Sequence, residues 1–155
     1  MFNFIAKMAV FTATVLFTIC TFATPNSIQL EQDLNGYSSK FSIHTKNLLD
    51  MTPSFMGDKN NLENLNEFKR MTTQIDTATD ELLTLVRIRN DFFDNRDIKL
   101  VSKIINFRIK YMRKETETEI SYINTVLTYT TNIALASEGR QLRDDIQSLQ
   151  TLISE

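Results

Sequence analysis

The chain is short of the residues that punctuate and cross-link. Three Gly and two Pro among 155 residues are too few for an all-β fold, which needs a turn residue roughly every eight to twelve positions. A lone Cys, Cys20, and a lone His, His44, exclude an intramolecular disulfide, a thiol nucleophile paired with an imidazole after removal of a leader, a His-rich zinc site, and haem attachment through Cys-x-x-Cys-His. No Gly-x-x-x-x-Gly-Lys loop is present to cradle phosphate. A carboxylate di-metal site in a helical bundle needs Glu-x-x-His, and Phe41 stands three residues before His44. Catalysis would have to rest on scattered carboxylates, so the sequence predicts a protein without catalytic turnover and without a cofactor.

The N-terminal 23 residues, MFNFIAKMAVFTATVLFTICTFA, hold one cation, Lys7, then an apolar run from Met8, then Thr21 and Ala23 ahead of Thr24 and Pro25. This is the pattern of a secretory signal peptide cleaved after Ala23. The alternative is an uncleaved membrane anchor. The run is short for a span, and Thr12, Thr14, Thr18 and Thr21 interrupt it. Acylation at Cys20 is disfavoured because Ile19 occupies a position that should be small. The expected organisation is therefore a signal peptide, residues 1–23, and one domain, residues 24–155, secreted or periplasmic.

Removing the leader takes Lys7 from the 17 basic residues and leaves all 19 acids, for a net charge of about −3. That balance argues against nucleic acid as a partner. With no cysteine left, stability has to come from apolar packing, which a chain of this size can supply.

The apolar spacing is helical almost throughout. Leu30, Leu34, Tyr37, Phe41, His44, Leu48 and Met51 step by four and three, an unbroken heptad seam. Asn26 or Ser27 can cap its start, and Pro53 with Gly57 ends it. Gly36 inside it costs about 1 kcal/mol relative to Ala. A second helix is expected over about 60–93, opened by a capping box of Asn60 and Glu63. Its stripe is Leu65, Phe68, Met71, Ile75, Ala78, Leu82 and Leu85, with Phe92 near the end. Asp97 can cap a third helix starting near Ile98. The third stripe runs Val101, Ile105, Ile109, Met112, Thr116, Ile120, Ile123, Leu127 and Ala134, across a polar gap at 113–119 that good helix formers keep helical. Residues 123–135 are rich in β-branched side chains, but no partner strand is visible. Gly139 marks a cap or kink before a last stretch with Leu142, Ile146, Leu149 and Ile153. The expected fold is all-α: an antiparallel up-down bundle of three long helices, with a shorter C-terminal helix covering one end.

Four features depart from a plain bundle. His44 lies on the seam itself. A hairpin about Pro53 and Gly57 pairs residues whose numbers sum to about 111, which puts Glu67 opposite His44 and brings Asn124 of the third helix within reach. The layer predicts a raised imidazole pKa; the plainer reading is a satisfied core histidine that fixes register. In residues 96–114, Arg96, Lys99, Lys103, Lys110, Arg113 and Lys114 fall within an arc of about 100°, and no acid intervenes between Asp97 and Glu115. Such a stripe attracts an anionic envelope surface or an acidic protein. The competing reading is internal: a second hairpin with a sum of about 191 brings Lys110, Arg113 and Lys114 near Asp76, Asp80 and Glu81, leaving Lys99 and Lys103 unpaired. Arg108 and Arg89 interrupt apolar faces and must pair, snorkel or hold an anion. Phe92 and Phe93 sit at a hairpin tip, either stapling the turn onto Phe107 or exposed as a protein anchor.

These features predict an exported helical bundle that works by binding another protein or an anionic envelope surface. Peripheral membrane contact and self-association stay open. The alternative is a carrier of an apolar or amphipathic anionic small molecule held between the helices at Arg89 or Arg108. A large interior cavity would favour the carrier, and a filled centre the binding protein.

Overall fold

A computed structural model describes residues 27–91 and 95–154. The expected signal peptide, Asn26, Phe92 and Phe93 lie outside the described residues. Four helices carry the described residues: α1 (Ser27–Met51), α2 (Lys59–Asp91), α3 (Asn95–Tyr129) and α4 (Ile133–Leu152). A short 3-10 turn, Thr52–Phe55, follows α1 with Pro53 near its start, and Gly57 at φ 140° completes the reversal. That angle is open to Gly because it has no Cβ. Among the described residues no strand forms.

Polar pairs fix the directions. Ser38 donates to Asp80 at 2.8 Å and Lys69 to Thr52 at 2.6 Å, so partners on α2 fall as those on α1 rise. Arg108 pairs with Glu81 at 3.0 Å and Arg89 donates to Ser102 at 3.0 Å, giving α2 and α3 the same antiparallel relation. Arg143 to Asn124 and Arg113 to the Ile153 carbonyl do so for α3 and α4. Lys40 to Asp145 and Asn47 to Glu138 do so for α4 and α1. The result is an up-down four-helix bundle in which α4 closes the ring against α1 and α2 also touches α4 across the centre.

The second hairpin keeps the register expected from the turn residues. The first does not: Lys69 reaching Thr52 moves each α1 partner between two and three helical turns further along α2 than a minimal loop would place it. The 3-10 turn extends α1's path beyond Met51 and shifts the crossing point.

Helix ends also differ from expectation. The third helix begins at Asn95, so Asp97, the expected cap, lies within its first turn. Asp58, not Asn60, caps α2: its carboxylate accepts from the Asn61 amide at 3.1 Å and from the Asn61 side chain at 2.6 Å. The third helix stops at Tyr129, and residues 130–132 form a break from which Asn132 caps α4 by accepting from the Leu135 amide at 3.0 Å. Ala134 is therefore exposed and outside the α3 stripe. Gly139 is no cap or kink. It lies inside α4, where a Cβ would come within 2.6 Å of the Phe68 ring. The last helix, 20 residues long, thus packs lengthwise and forms a fourth wall instead of covering an end.

One continuous core draws on all four helices. Leu34, Phe41, Leu48, Phe68, Ile75, Met112, Ile123 and Leu142 are fully buried. Because α2 meets three partners, it needs a wide buried face, and Thr72, Thr79, Leu83 and Val86 join the expected stripe. The two threonines are satisfied by their own helix, donating to the carbonyls of Phe68 and Ile75 at 2.8 Å. No helix among the described residues is long and apolar enough to cross a membrane.

Candidate functional site

His44 is brought to the α1–α4 seam at 4% exposure. Its Nδ1 stands 2.6 Å from Glu138 Oε1 and its Nε2 stands 3.1 Å from Asp145 Oδ2. Asn47 donates to the second Glu138 oxygen at 3.2 Å, and Lys40 to the second Asp145 oxygen at 2.6 Å. Both imidazole nitrogens can donate only when the ring is protonated. Burial opposes that charge, but the bonds to Glu138 and Asp145 and their charges outweigh it and hold the His44 pKa above its ordinary value. Asp145 moves the other way: burial works against its charge, and the bonds from Lys40 and His44 hold its pKa below the usual carboxylate value. A protonated His44 and Lys40 balance Glu138 and Asp145. With both nitrogens engaged and the ring sealed in, this cluster fixes which faces of α1 and α4 meet.

The polar layer expected at His44 therefore forms with different partners. Glu67 accepts from Arg70 at 3.0 Å, and Asn124 is exposed, accepting from Arg143 at 3.4 Å. The sequence signal for the true partners was an acid at stripe spacing, since Glu138 precedes Leu142 by one turn and Asp145 precedes Leu149 likewise.

Arg108 finds carboxylates, pairing with Glu81 and Glu115 at 3.0 Å each. Arg89 lies further along α2 and lines a separate cavity of about 100 Å³ with Leu30, Val86, Ser102 and Ile105. The two arginines do not converge on one anion pocket. That cavity is also smaller than the roughly 300–1,000 Å³ typical of ligand sites. A second buried carboxylate, Glu119, is met by Arg70 at 3.3 Å, whose guanidinium also lies over Tyr122 at 5.4 Å.

The basic stripe distributes unevenly. Arg113 turns inward and donates through Nε to the Ile153 carbonyl at 2.8 Å, satisfying the end of α4. Lys110 and Lys114 do not reach Asp76, Asp80 or Glu81; the cation that reaches across is Arg108. Lys99, Lys103, Lys110 and Lys114 are all exposed, and among the described residues none makes an ion pair.

Beside these lysines lies an apolar row that is not part of the expected α3 stripe. Leu100, Ile104, Phe107 and Tyr111 are 59%, 45%, 63% and 53% exposed. Their four-three-four spacing stacks them within an arc of about 60° on the outer face of α3. The rings of Phe107 and Tyr111 pack on each other with centroids 4.9 Å apart. This leaves α3 with two apolar faces: Val101, Ile105 and Met112 point inward, and the parallel row points to solvent.

The chain matches no family model, no curated protein and no solved structure.

Proposed function

We propose that this is an exported helical-bundle protein that acts by binding without catalytic turnover, and that the outer face of α3 is its contact surface. The observation that carries the reading is the exposed row Leu100, Ile104, Phe107 and Tyr111, running beside four lysines that have no internal partner among the described residues. A contiguous apolar row rimmed by charge is the usual mark of an interaction site, and its aromatic members are the residue type that anchors interfaces. The cavity at Arg89 is only about 100 Å³, and the larger hollows beside Arg108, about 640 and 530 Å³, are grooves open to solvent, which favours surface binding over carriage between the helices. The N-terminal pattern supports export, and cleavage after Ala23 predicts an intact mass beginning at Thr24.

A photo-crosslinking side chain placed at Phe107 tests the contact surface. Adducts are expected to form in the cell envelope from position 107 and not from Gln141, which is exposed on α4. Equal adduct formation from the two positions would overturn the assignment.

A further inference from the structure

The spacing on the outer face of α3 specifies more than stickiness. With Leu100 and Phe107 taken as d positions and Ile104 and Tyr111 as a positions, Lys103 and Lys110 fall at g in two successive heptads, and Val101 and Arg108 fall at e. A strict a/d row about 60° wide is the geometry of a coiled-coil seam. A helix that lies in a lipid interface buries a broader apolar face and carries cations at both margins. Here free cations line one margin only. The other margin holds Arg108, already committed to Glu81 and Glu115.

We propose that α3 receives one amphipathic helix of a different protein, with apolar a and d residues and Asp or Glu opposite Lys103 and Lys110. This proposal rests on the contact-surface reading above and names its partner class. Charge argues against the occupants nearest at hand. A second copy packed antiparallel sets g against g, lysine against lysine, and one packed parallel sets Lys103 against Arg108. The N-terminal segment of this chain, residues 1–26, contains one Lys and no Asp or Glu, so it offers nothing to the lysine margin. An acidic helix satisfies both the row and its flank, and the charges set partner choice and register more than raw affinity.

The test uses the protein purified in the form the cell accumulates and two synthetic heptad peptides. Both carry Leu at a and d; one has Glu at e and g, the other Lys. The Glu peptide is expected to bind, to bind more weakly as salt rises, and to lose at least tenfold in affinity against Lys103→Glu/Lys110→Glu. The Lys peptide is expected to prefer that double variant. All substitutions lie on the exposed face, and unchanged helical circular dichroism and melting establish that the variants fold. Absence of Glu-peptide binding, or equal binding by wild type and double variant, overturns the proposal. Vesicles containing phosphatidylglycerol separate the two levels. If they bind wild type and lose Phe107→Ser while the peptide fails, the partner class is wrong and the contact surface stands. If peptide and vesicles both fail and position 107 yields no adducts, both fall. A concentration-dependent dimer abolished by Phe107→Ser replaces the foreign helix with a second copy.

Discussion

His44 shows how one side chain can set the pH behaviour of a fold that otherwise rests on apolar contacts. Its ordinary pKa of 6.5 is raised because the bonds to Glu138 and Asp145 outweigh the cost of burial. The stability it contributes is fully present below about pH 6.5 and is lost as pH rises through the higher folded value. Asp145 is depressed below its ordinary 3.8, so its contribution is present above that value and is lost as pH falls through the lower folded one. Asp76 is raised, first by burial and then by the nearby Asp80, so its protonation relieves a penalty as pH falls. Stability is therefore expected to be greatest between the carboxylate and imidazole titrations. The His44→Leu variant is expected to lose about 3–5 kcal/mol in urea denaturation, because it strands Glu138 as a buried charge. It should also lose the decline above neutrality. His44→Leu/Glu138→Leu is expected to recover most of the loss, since apolar replacement of both partners removes the stranded charge. Unchanged midpoints and an unchanged alkaline limb in His44→Leu would show that the cluster contributes nothing. That His44 belonged to the seam was legible in its heptad phase. Its partners showed only as acids at stripe spacing on the last helix, and that this helix docks against α1 is not encoded in local spacing.

Each helix was legible where its buried face is the narrow apolar stripe and obscure where that face widens or a second apolar row stays outside. The α1 stripe is buried as its spacing predicts, with Tyr37 and Met51 partly exposed at its margin. On α2 the buried face is wider than its stripe because three helices pack on it, and Thr72 and Thr79 enter the core with self-satisfied hydroxyls that composition reads as polar. On α3 the expected row Val101, Ile105, Met112, Thr116 and Ile123 is the one the bundle buries, while the parallel row Leu100, Ile104, Phe107 and Tyr111, offset by one residue, stays exposed because no fifth helix covers it. The same contrast separates the two glycines inside helices. Gly36 is exposed with nothing within 4 Å of a Cβ built there. Gly36→Ala is expected to stabilise by up to about 1 kcal/mol from helix propensity. At Gly139 the added methyl meets the Phe68 ring at 2.6 Å, and that ring is fully buried, so making room means repacking the core around it. Overpacking typically costs about 1–3 kcal/mol, which exceeds the propensity gain, so Gly139→Ala is expected to destabilise. Thermal melts of the two variants should therefore shift in opposite directions; a rise in both would show that α4 sits less tightly on α2 than the structure has it.

Taken as a whole, the molecule depends on its last helix to close what the first three leave open. After Ala23 the sequence has no cysteine, so no covalent bridge substitutes for packing. α4 meets each of the other three helices at a specific feature. Gly139 seats on Phe68 of α2, Glu138 and Asp145 engage His44 of α1, and the Ile153 carbonyl accepts from Arg113 of α3. The break before it is also tied down: Asn61 of α2 donates to Thr131 at 3.2 Å and accepts from the Asn132 amide at 3.4 Å. Removing α4 uncovers Phe41 and Phe68 together with His44, so apolar surface and an unpaired imidazole appear on the same flank. A chain ending at Asn132 is expected to keep much of its helical circular dichroism, since α1, α2 and α3 retain their own pairings. It is also expected to bind a hydrophobic dye and lose a sharp thermal transition, the behaviour of a collapsed but loosely packed state. A truncated chain that still melted in one sharp step without binding dye would show that three helices make the domain and the fourth is an attachment. The outer row of α3 gives the opposite expectation at this scale. Phe107→Ser removes an exposed ring from a face the bundle does not cover, so the melt should stay within about 0.5 kcal/mol of wild type. The two variants thus separate the apolar surface that holds the fold together from the surface that holds a partner.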